Sequence, residues 1–102
     1  MDSFAALADP TRRRIVEMLS KGSLSSGEIA SGFDISAPAV SQHLKTLRNA
    51  KLVRVRAEAQ RRIYELEQDG VEELVEWVTR IRHFWDRRLD TLEFLLKKET
   101  PP

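Results

Sequence analysis

The chain has no cysteine and only two histidines, His43 and His83, among its 102 residues. Without cysteine there can be no disulfide framework, no thiol redox switch and no cysteine-based zinc site. No apolar stretch approaches the ~20 residues of a membrane span, and the N-terminus lacks a signal-peptide pattern. We therefore expect a cytoplasmic protein with no membrane partner. Since the sequence also lacks a phosphate-binding loop and a clustered nucleophile and base, an enzyme is the weakest interpretation.

The length predicts a single domain over 1–102, because a chain of this size can bury one modest core but not two. The net charge is only +1, but it is unevenly spread. Residues 34–66 hold seven basic and three acidic side chains, whereas residues 67–102 hold six basic and nine acidic ones. This indicates one surface for a polyanion and another for something else, although two ordinary solvated faces would give the same counts.

Two helix-start signals lie in the N-terminal third of the chain. Asp9 can cap a helix that has Pro10 at its first position. Ser25, followed three residues later by Glu28, fits a capping box. With a short apolar helix before them, these signals predict N-terminal helices over 3–33.

A helix with a polar outer face is predicted over 36–50, with Ser36 as its N-cap. Its buried stripe is formed by residues at i, i+4 and i+7, namely Val40, Leu44 and Leu47. On a helical wheel of about 100° per residue, a different set lies opposite that stripe: Pro38, Gln42, Lys45 and Asn49. Ser41 and Arg48 lie on one flank of the stripe, and His43 lies on the other. The helix therefore presents hydrogen-bonding groups where a surface helix usually carries charge pairs.

The next segment, 52–66, changes to an alternating pattern. LVRVRA alternates apolar and basic residues, and RRIYEL follows the short connection Glu58-Ala59-Gln60. Two β-rich segments around a tight turn predict a hairpin with arginines near its tip.

A long helix is predicted over 69–98, where Asp69 and Glu72 fit a second capping box. Its apolar residues follow a spacing of three and four, as in a helix–helix seam. A domain this small can cover only part of such a helix, so a second copy of the chain is the simplest cover. The alternative is a helix folded back over its own domain.

Together these elements predict a mainly α fold with a small β-hairpin. The helices on either side of Asp34-Ile35 have helix-turn-helix spacing, and the hairpin behind them would be a wing. The sequence resembles the ArsR-type winged-helix repressors from Phe4 to about Leu96. The segments that carry the resemblance are ALADPTRRRIVEML (6–19), SSGEIASGFDISAPAVSQHLKTLRNAKLV (25–53) and RRIYEL (61–66).

The resemblance implies a homodimer paired through its first and last helices. It also implies that the polar-faced helix enters the major groove and that the wing lies along the backbone or minor groove of double-stranded DNA. Members repress their own or neighbouring genes, and many release DNA when a metal binds. We assign the dimer interface to Phe4, Leu7, Val78, Ile81, Trp85, Leu89, Leu92 and Leu95.

The DNA-binding residues are expected to be Ser36, Ala37, Pro38, Ser41, Gln42, His43, Lys45, Arg54, Arg56, Arg61 and Arg62. The amide of Gln42 can pair with adenine N6 and N7, and the small apolar Ala37 and Pro38 suit a thymine methyl. The serine hydroxyls can donate to phosphates, helped by the helix N-terminus. The basic side chains would supply phosphate attraction that does not depend on base sequence.

Several residues in these segments have simpler roles open to them. Ser36 can act only as a helix cap. His43 lies beside the buried stripe, so packing or an internal hydrogen bond is as reasonable as a DNA contact. For the arginines at 12–14, structural or solvated roles are favoured over phosphate contact. Glu58 at the wing tip would repel phosphate, and Lys51 stands where the family commonly has glycine.

The sequence offers few residues for a metal-sensor site. Within the resembled family, metal sensing uses cysteines before the recognition helix, which this chain lacks, or His/Asp/Glu sets on the long helix. A cross-dimer set can be drawn from His83, Asp86, Asp90 and Glu93, but one histidine among carboxylates suits a transition metal poorly. We therefore expect no cofactor and no metal, with a metal-responsive repressor as an alternative.

The segment FWDRRLDTLEFLL (84–96) resembles a metal-independent branch of the family. Its aromatic residues, Phe84, Trp85 and Phe94, with Trp77 upstream, could line an apolar effector pocket but are more often dimer core. A further alternative is a protein–protein adaptor whose DNA-binding face is vestigial. The absence of carboxylates from Ser36 to Lys45 argues against that alternative.

Overall fold

The computed structural model describes residues 3–99, which form five helices and a three-stranded sheet. In chain order the elements are α1 (Ser3–Ala6), α2 (Pro10–Leu19), β1 (Leu24–Ser25), α3 (Ser26–Ser31), α4 (Ala37–Asn49), β2 (Val53–Glu58), β3 (Arg61–Leu66) and α5 (Gln68–Glu99). The pair α3–α4 is the helix-turn-helix and β2–β3 is the wing, so the predicted mainly helical winged fold is confirmed.

Side chains cap the first turns of α2, α3 and α4, as the sequence predicted. Asp9 Oδ1 accepts hydrogen bonds from the backbone N–H groups of Thr11 and Arg12, at 2.8 and 3.2 Å. The capping box at α3 is complete, because Ser25 Oγ accepts from the Glu28 N–H at 3.1 Å and Glu28 accepts in return from the Ser25 N–H. Ser36 Oγ accepts from the Ala39 N–H at 3.2 Å. These bonds satisfy backbone donors that have no partner inside the helix.

A single apolar core lies between the helices and the sheet. The stripe predicted for α4 is buried, with Val40, Leu44 and Leu47 each no more than 2% exposed. Side chains from five other elements and from the turn before β2 surround it, among them Ala6, Ile15, Leu19, Ile29, Leu52, Val53 and Tyr64. Because α4 is anchored along its whole inner face, its outer face is held in a fixed orientation.

The exit of α4 is a tight left-handed turn at Lys51, whose φ is 59°. The N–H of Lys51 donates to the Arg48 carbonyl and the N–H of Leu52 donates to the Leu47 carbonyl, both at 3.0 Å. This pattern ends a helix by satisfying its last carbonyls, and it normally uses glycine at the left-handed position. Lysine therefore occupies a position that favours glycine, the residue that the ArsR-type repressors commonly have there.

The sheet contains one strand that the sequence did not predict. β1 pairs with β3, so the strand order is β1-β3-β2 and the wing is part of a three-stranded sheet rather than an isolated hairpin. The connection within the wing is also shorter than predicted, because Glu58 pairs with Arg61 inside the ladder. Only Ala59 and Gln60 form the turn, with Ala59 at a φ of 56°.

α5 is 32 residues long and begins at Gln68. The prediction that Asp69 caps this helix was wrong, since Asp69 lies inside the first turn and Glu72 accepts instead from the Gln68 side chain at 2.9 Å. The helix starts early because the Glu67 N–H is held by the Leu52 carbonyl at 2.8 Å, directly after β3. Within residues 3–99, no helix combines the length and apolar character needed to cross a bilayer.

The start of α5 is fixed against the exit of α4. The Gly70 N–H donates to the Lys51 carbonyl at 2.9 Å, and a Cβ atom at Gly70 would collide with that carbonyl. Beyond Leu74 the side chains of α5 are exposed as far as Lys97. The helix therefore projects from the domain, and the molecule measures 72 × 26 × 23 Å.

Candidate nucleic-acid interface

The outer face of α4 is an open surface built from the polar residues that the sequence placed there. Six of the predicted DNA-binding residues are exposed on it or at its N-cap: Ser36, Ala37, Pro38, Ser41, Gln42 and Lys45. Neither Ser41 nor Gln42 has a side-chain hydrogen bond to another described residue. Their donors and acceptors are therefore free to bind an external partner.

The charge on this helix is entirely positive. α4 contains no aspartate or glutamate, and its basic side chains are Lys45 and Arg48. Neither of them has a carboxylate within ion-pairing distance in the part of the chain that the structure describes. Two unneutralised cations beside free hydrogen-bonding groups form a surface suited to a polyanion.

His43 differs from the other predicted residues because its ring is tied to α2. The ring is half-buried, and Arg12 Nη1 lies 3.3 Å from His43 Nδ1. A guanidinium can only donate, so Nδ1 is the acceptor in this hydrogen bond. This internal bond is the structural role that the sequence left open beside DNA contact.

Arg12 is the residue that makes this arrangement possible. Its Nε also donates to the Ala6 carbonyl, so the guanidinium joins the end of α1 to α4. Arg12 therefore has a structural role, in line with the expectation for 12–14. Nearby, burial acts to raise the pKa of Asp9, but the backbone N–H groups of Arg12 and Thr11 outweigh it and hold that pKa below its ordinary value.

The wing arginines are less available than the sequence suggested, because three of the four are ion-paired. Arg54 pairs with Glu65 at 2.9 Å, across the β2–β3 ladder. Arg56 pairs with Glu58 at 2.7 Å. Arg61 reaches out of the wing to Glu28 of α3, at 3.0 Å. Among the described residues, Arg62 is the wing arginine without a carboxylate partner.

The role of Glu28 in the wing was missed at the sequence level. The Arg54–Glu65 pair could have been found from the strand register, since the two residues are directly opposite each other. By contrast, Glu28 and Arg61 are 33 residues apart and meet only because β1 brings the start of α3 beside β3. No local pattern marks that contact.

A second surface runs along α5. Its large apolar side chains are exposed in the single chain: Val75, Trp77, Val78, Ile81, Phe84, Trp85, Leu89, Leu92, Phe94, Leu95 and Leu96. Phe4 of α1 packs edge-on against Trp77, with ring centroids 5.1 Å apart, and is itself exposed. Leu7 is partly buried against the core of its own domain. All of these α5 residues except Val75 and Phe94 share one face of the helix. We call that face, together with Phe4, the apolar ridge.

The polar side of α5 carries the residues considered for metal binding. No group of three or more metal-ligating side chains comes together within residues 3–99. Glu93 forms an ion pair with Lys97 at 3.3 Å, one helical turn away. Of the aromatic residues, Phe84 packs edge-on against Trp85, lies under Arg88 and lines an open depression on α5 with Thr91 and Leu92.

The chain is similar to known bacterial transcriptional regulators. The protein family described as "Bacterial regulatory protein, arsR family" matches this chain over residues 9–55. The HTH-type transcriptional regulator Rv2034 of Mycobacterium tuberculosis is 44% identical over 97 residues, which cover 95% of this chain and 88% of that protein. The transcriptional repressor SdpR of Bacillus subtilis is 35% identical over 75 residues, covering 74% of this chain and 83% of that one.

Solved structures are similar as well. A protein described as a possible transcriptional regulator for arsenical resistance has a TM-score of 0.72 and 34% identity, with 99% of both chains covered. The similarity therefore includes α5 as well as the helix-turn-helix and the wing.

Proposed function

Because the chain belongs to the ArsR family of bacterial transcriptional regulators, we propose that it is a homodimeric repressor that binds a pseudo-palindromic DNA operator. The observation that carries this proposal is the outer face of α4. That face is exposed, basic and free of carboxylates, and its inner side is locked into the core. Such a helix can enter a major groove without rearranging the domain. A regulator must reach the chromosome, so we also propose a cytoplasmic location.

Base recognition is assigned to the N-terminal half of α4. Gln42 is the residue that reads a base edge, because its amide offers both an acceptor and donors, as adenine N6 and N7 require. Ala37 and Pro38 contact a thymine methyl. The hydroxyl of Ser41 donates to a phosphate, and Lys45 supplies attraction that does not depend on sequence.

The dimer is assigned to the apolar ridge. A face of exposed apolar side chains this long is unusual on a monomer and favours burial against a partner. The same patch on a second copy gives a closed, two-fold interface. The two-fold axis then places two α4 helices in successive major grooves, about 34 Å apart.

We propose that this regulator works without a resident metal. One histidine and three carboxylates on a single helix supply too little nitrogen or sulfur for a transition metal. In addition, Glu93 already has Lys97 as a partner.

The test is footprinting of the DNA upstream of the protein's own gene, with and without added divalent metals. We expect a discrete two-fold symmetric protected site that added metal leaves unchanged. Binding to that site with the same affinity as to random duplex would contradict sequence-specific recognition. A site released by metal would contradict metal-independent regulation alone.

A further inference from the structure

One carboxylate oxygen serves both the helix-turn-helix and the wing. Glu28 Oε1 accepts from the Ser25 N–H at 2.9 Å, which closes the capping box of α3, and from Arg61 Nη2 at 3.0 Å. The Ser25 Oγ in turn accepts from the Glu28 N–H. The cap therefore holds the carboxylate of Glu28 in place, and the same oxygen accepts a hydrogen bond from Arg61 near the wing tip.

The carboxylate is charged under ordinary conditions. The backbone hydrogen bond from Ser25, then the side-chain bond with Ser25 and the nearby charge of Arg61, hold the pKa of Glu28 below its ordinary value. Arg61 thus already has an anion beside it, in contrast to its neighbour Arg62, for which the described part of the chain provides none.

We propose that Glu28 is a positioning residue that keeps Arg61 out of phosphate contact. This inference rests on the proposed DNA-binding function. A phosphate that binds a free arginine releases condensed counterions from DNA, whereas a phosphate that approaches Arg61 has to displace a carboxylate of the protein first. The wing therefore neutralises fewer phosphates than its arginines would allow, and the electrostatic part of the affinity is limited.

Glu28→Gln separates the two roles of this side chain. Glutamine still accepts the Ser25 N–H, because glutamine supports a capping box as glutamate does, but it no longer neutralises Arg61. We expect the slope of log affinity against log salt to steepen by about 0.9, the value of one added phosphate contact. The loss of affinity between about 50 and about 200 mM salt would then grow by about 3.5-fold. Operator and random duplex should change together, because the added contact reads no base.

The matched control is Glu17→Gln. Glu17 is also an exposed carboxylate paired with an arginine, Arg14, but it lies on α2. If the loss of any one negative charge steepened the slope of log affinity against log salt, both variants would show the same change. That result would overturn the proposal.

Two arginine variants test the same point independently. Arg61→Ala should leave the salt slope of the otherwise unchanged protein as it is, whereas Arg62→Ala should reduce it by about 0.9. In the Arg61→Ala background, Glu28→Gln should have no effect. A Glu28→Gln effect that persists there would mean that Glu28 repels phosphate directly, and would overturn the proposal.

The failures of this inference and of the proposed function are distinguishable. Duplex binding with the same slope in wild type and Glu28→Gln overturns the inference alone. A wild-type protein that binds no duplex at low salt overturns both.

Discussion

Replacement of Gln42 by alanine isolates the base-reading part of the proposed interface. Gln42 is exposed and has no side-chain hydrogen bond to another described residue, so alanine, a better helix former, should not weaken the fold. A bidentate contact to a base is worth about 1–3 kcal/mol of discrimination. We therefore expect operator affinity to fall by about 5–150-fold, while affinity for random duplex is unchanged.

The assay is a titration of labelled operator and labelled random duplex at one fixed salt concentration, since affinities at different salt are not comparable. Asn49→Ala is the matched control. It removes an exposed amide from the same helix but from the C-terminal end, away from the residues expected to reach base edges. The reasoning is refuted if Gln42→Ala weakens both duplexes equally, or if Asn49→Ala lowers the operator-to-random ratio as much.

Three further changes test the fold, the dimer and the helix cap. Lys51→Gly should raise the free energy of unfolding in urea by about 0.5–1 kcal/mol, because glycine adopts the left-handed backbone at this position without strain. Lys51→Ala should give no such gain. An equal gain in both variants would mean that the lysine charge, and not the backbone, is the cause. Leu92→Lys should give a monomer in sedimentation velocity with helix content retained, since it puts a charge into the apolar ridge. Asp90→Lys, on the opposite side of α5, should stay dimeric. A dimeric Leu92→Lys protein would contradict the proposed dimer interface. The pKa of Asp9 is lower in the folded state than its ordinary value of 3.8. Asp9 therefore stabilises the fold above pH 3.8, and this stabilisation is lost as the pH falls through the lower folded pKa. Asn also caps a helix but does not titrate, so the melting temperature of Asp9→Asn should fall less on acidification than that of the wild type. If the melting temperatures of the two proteins fall by the same amount, the titration of Asp9 is not the cause.

The features that the sequence predicted well are those decided by neighbours within one helical turn. The caps at Asp9, Ser25 and Ser36 depend on residues two or three positions away. The buried stripe of α4 and the exposure of Gln42 follow from helical periodicity alone. The outer face of the candidate interface was predictable for this reason.

The features that the sequence missed are contacts between distant segments. β1 has only two residues, too few to show an alternating pattern, and it forms because Leu24 meets Tyr64. The Arg61–Glu28 pair depends on that same pairing. The bond between Arg12 and His43 needs α2 and α4 to be packed first. The error at Asp69 has a similar origin, because the Glu67 bond to Leu52 starts α5 before the local capping signal.

The collision that forces glycine at position 70 fixes more than one backbone contact. α5 has 32 residues and is about 48 Å long, so a change of about 10° in its direction at Gly70 would move its far end by about 8 Å. In the proposed dimer the seam lies along that helix, and 8 Å corresponds to more than two base-pair steps of about 3.4 Å. In that proposed dimer, the close approach of Gly70 to the Lys51 carbonyl would therefore help to set the distance between the two half-sites.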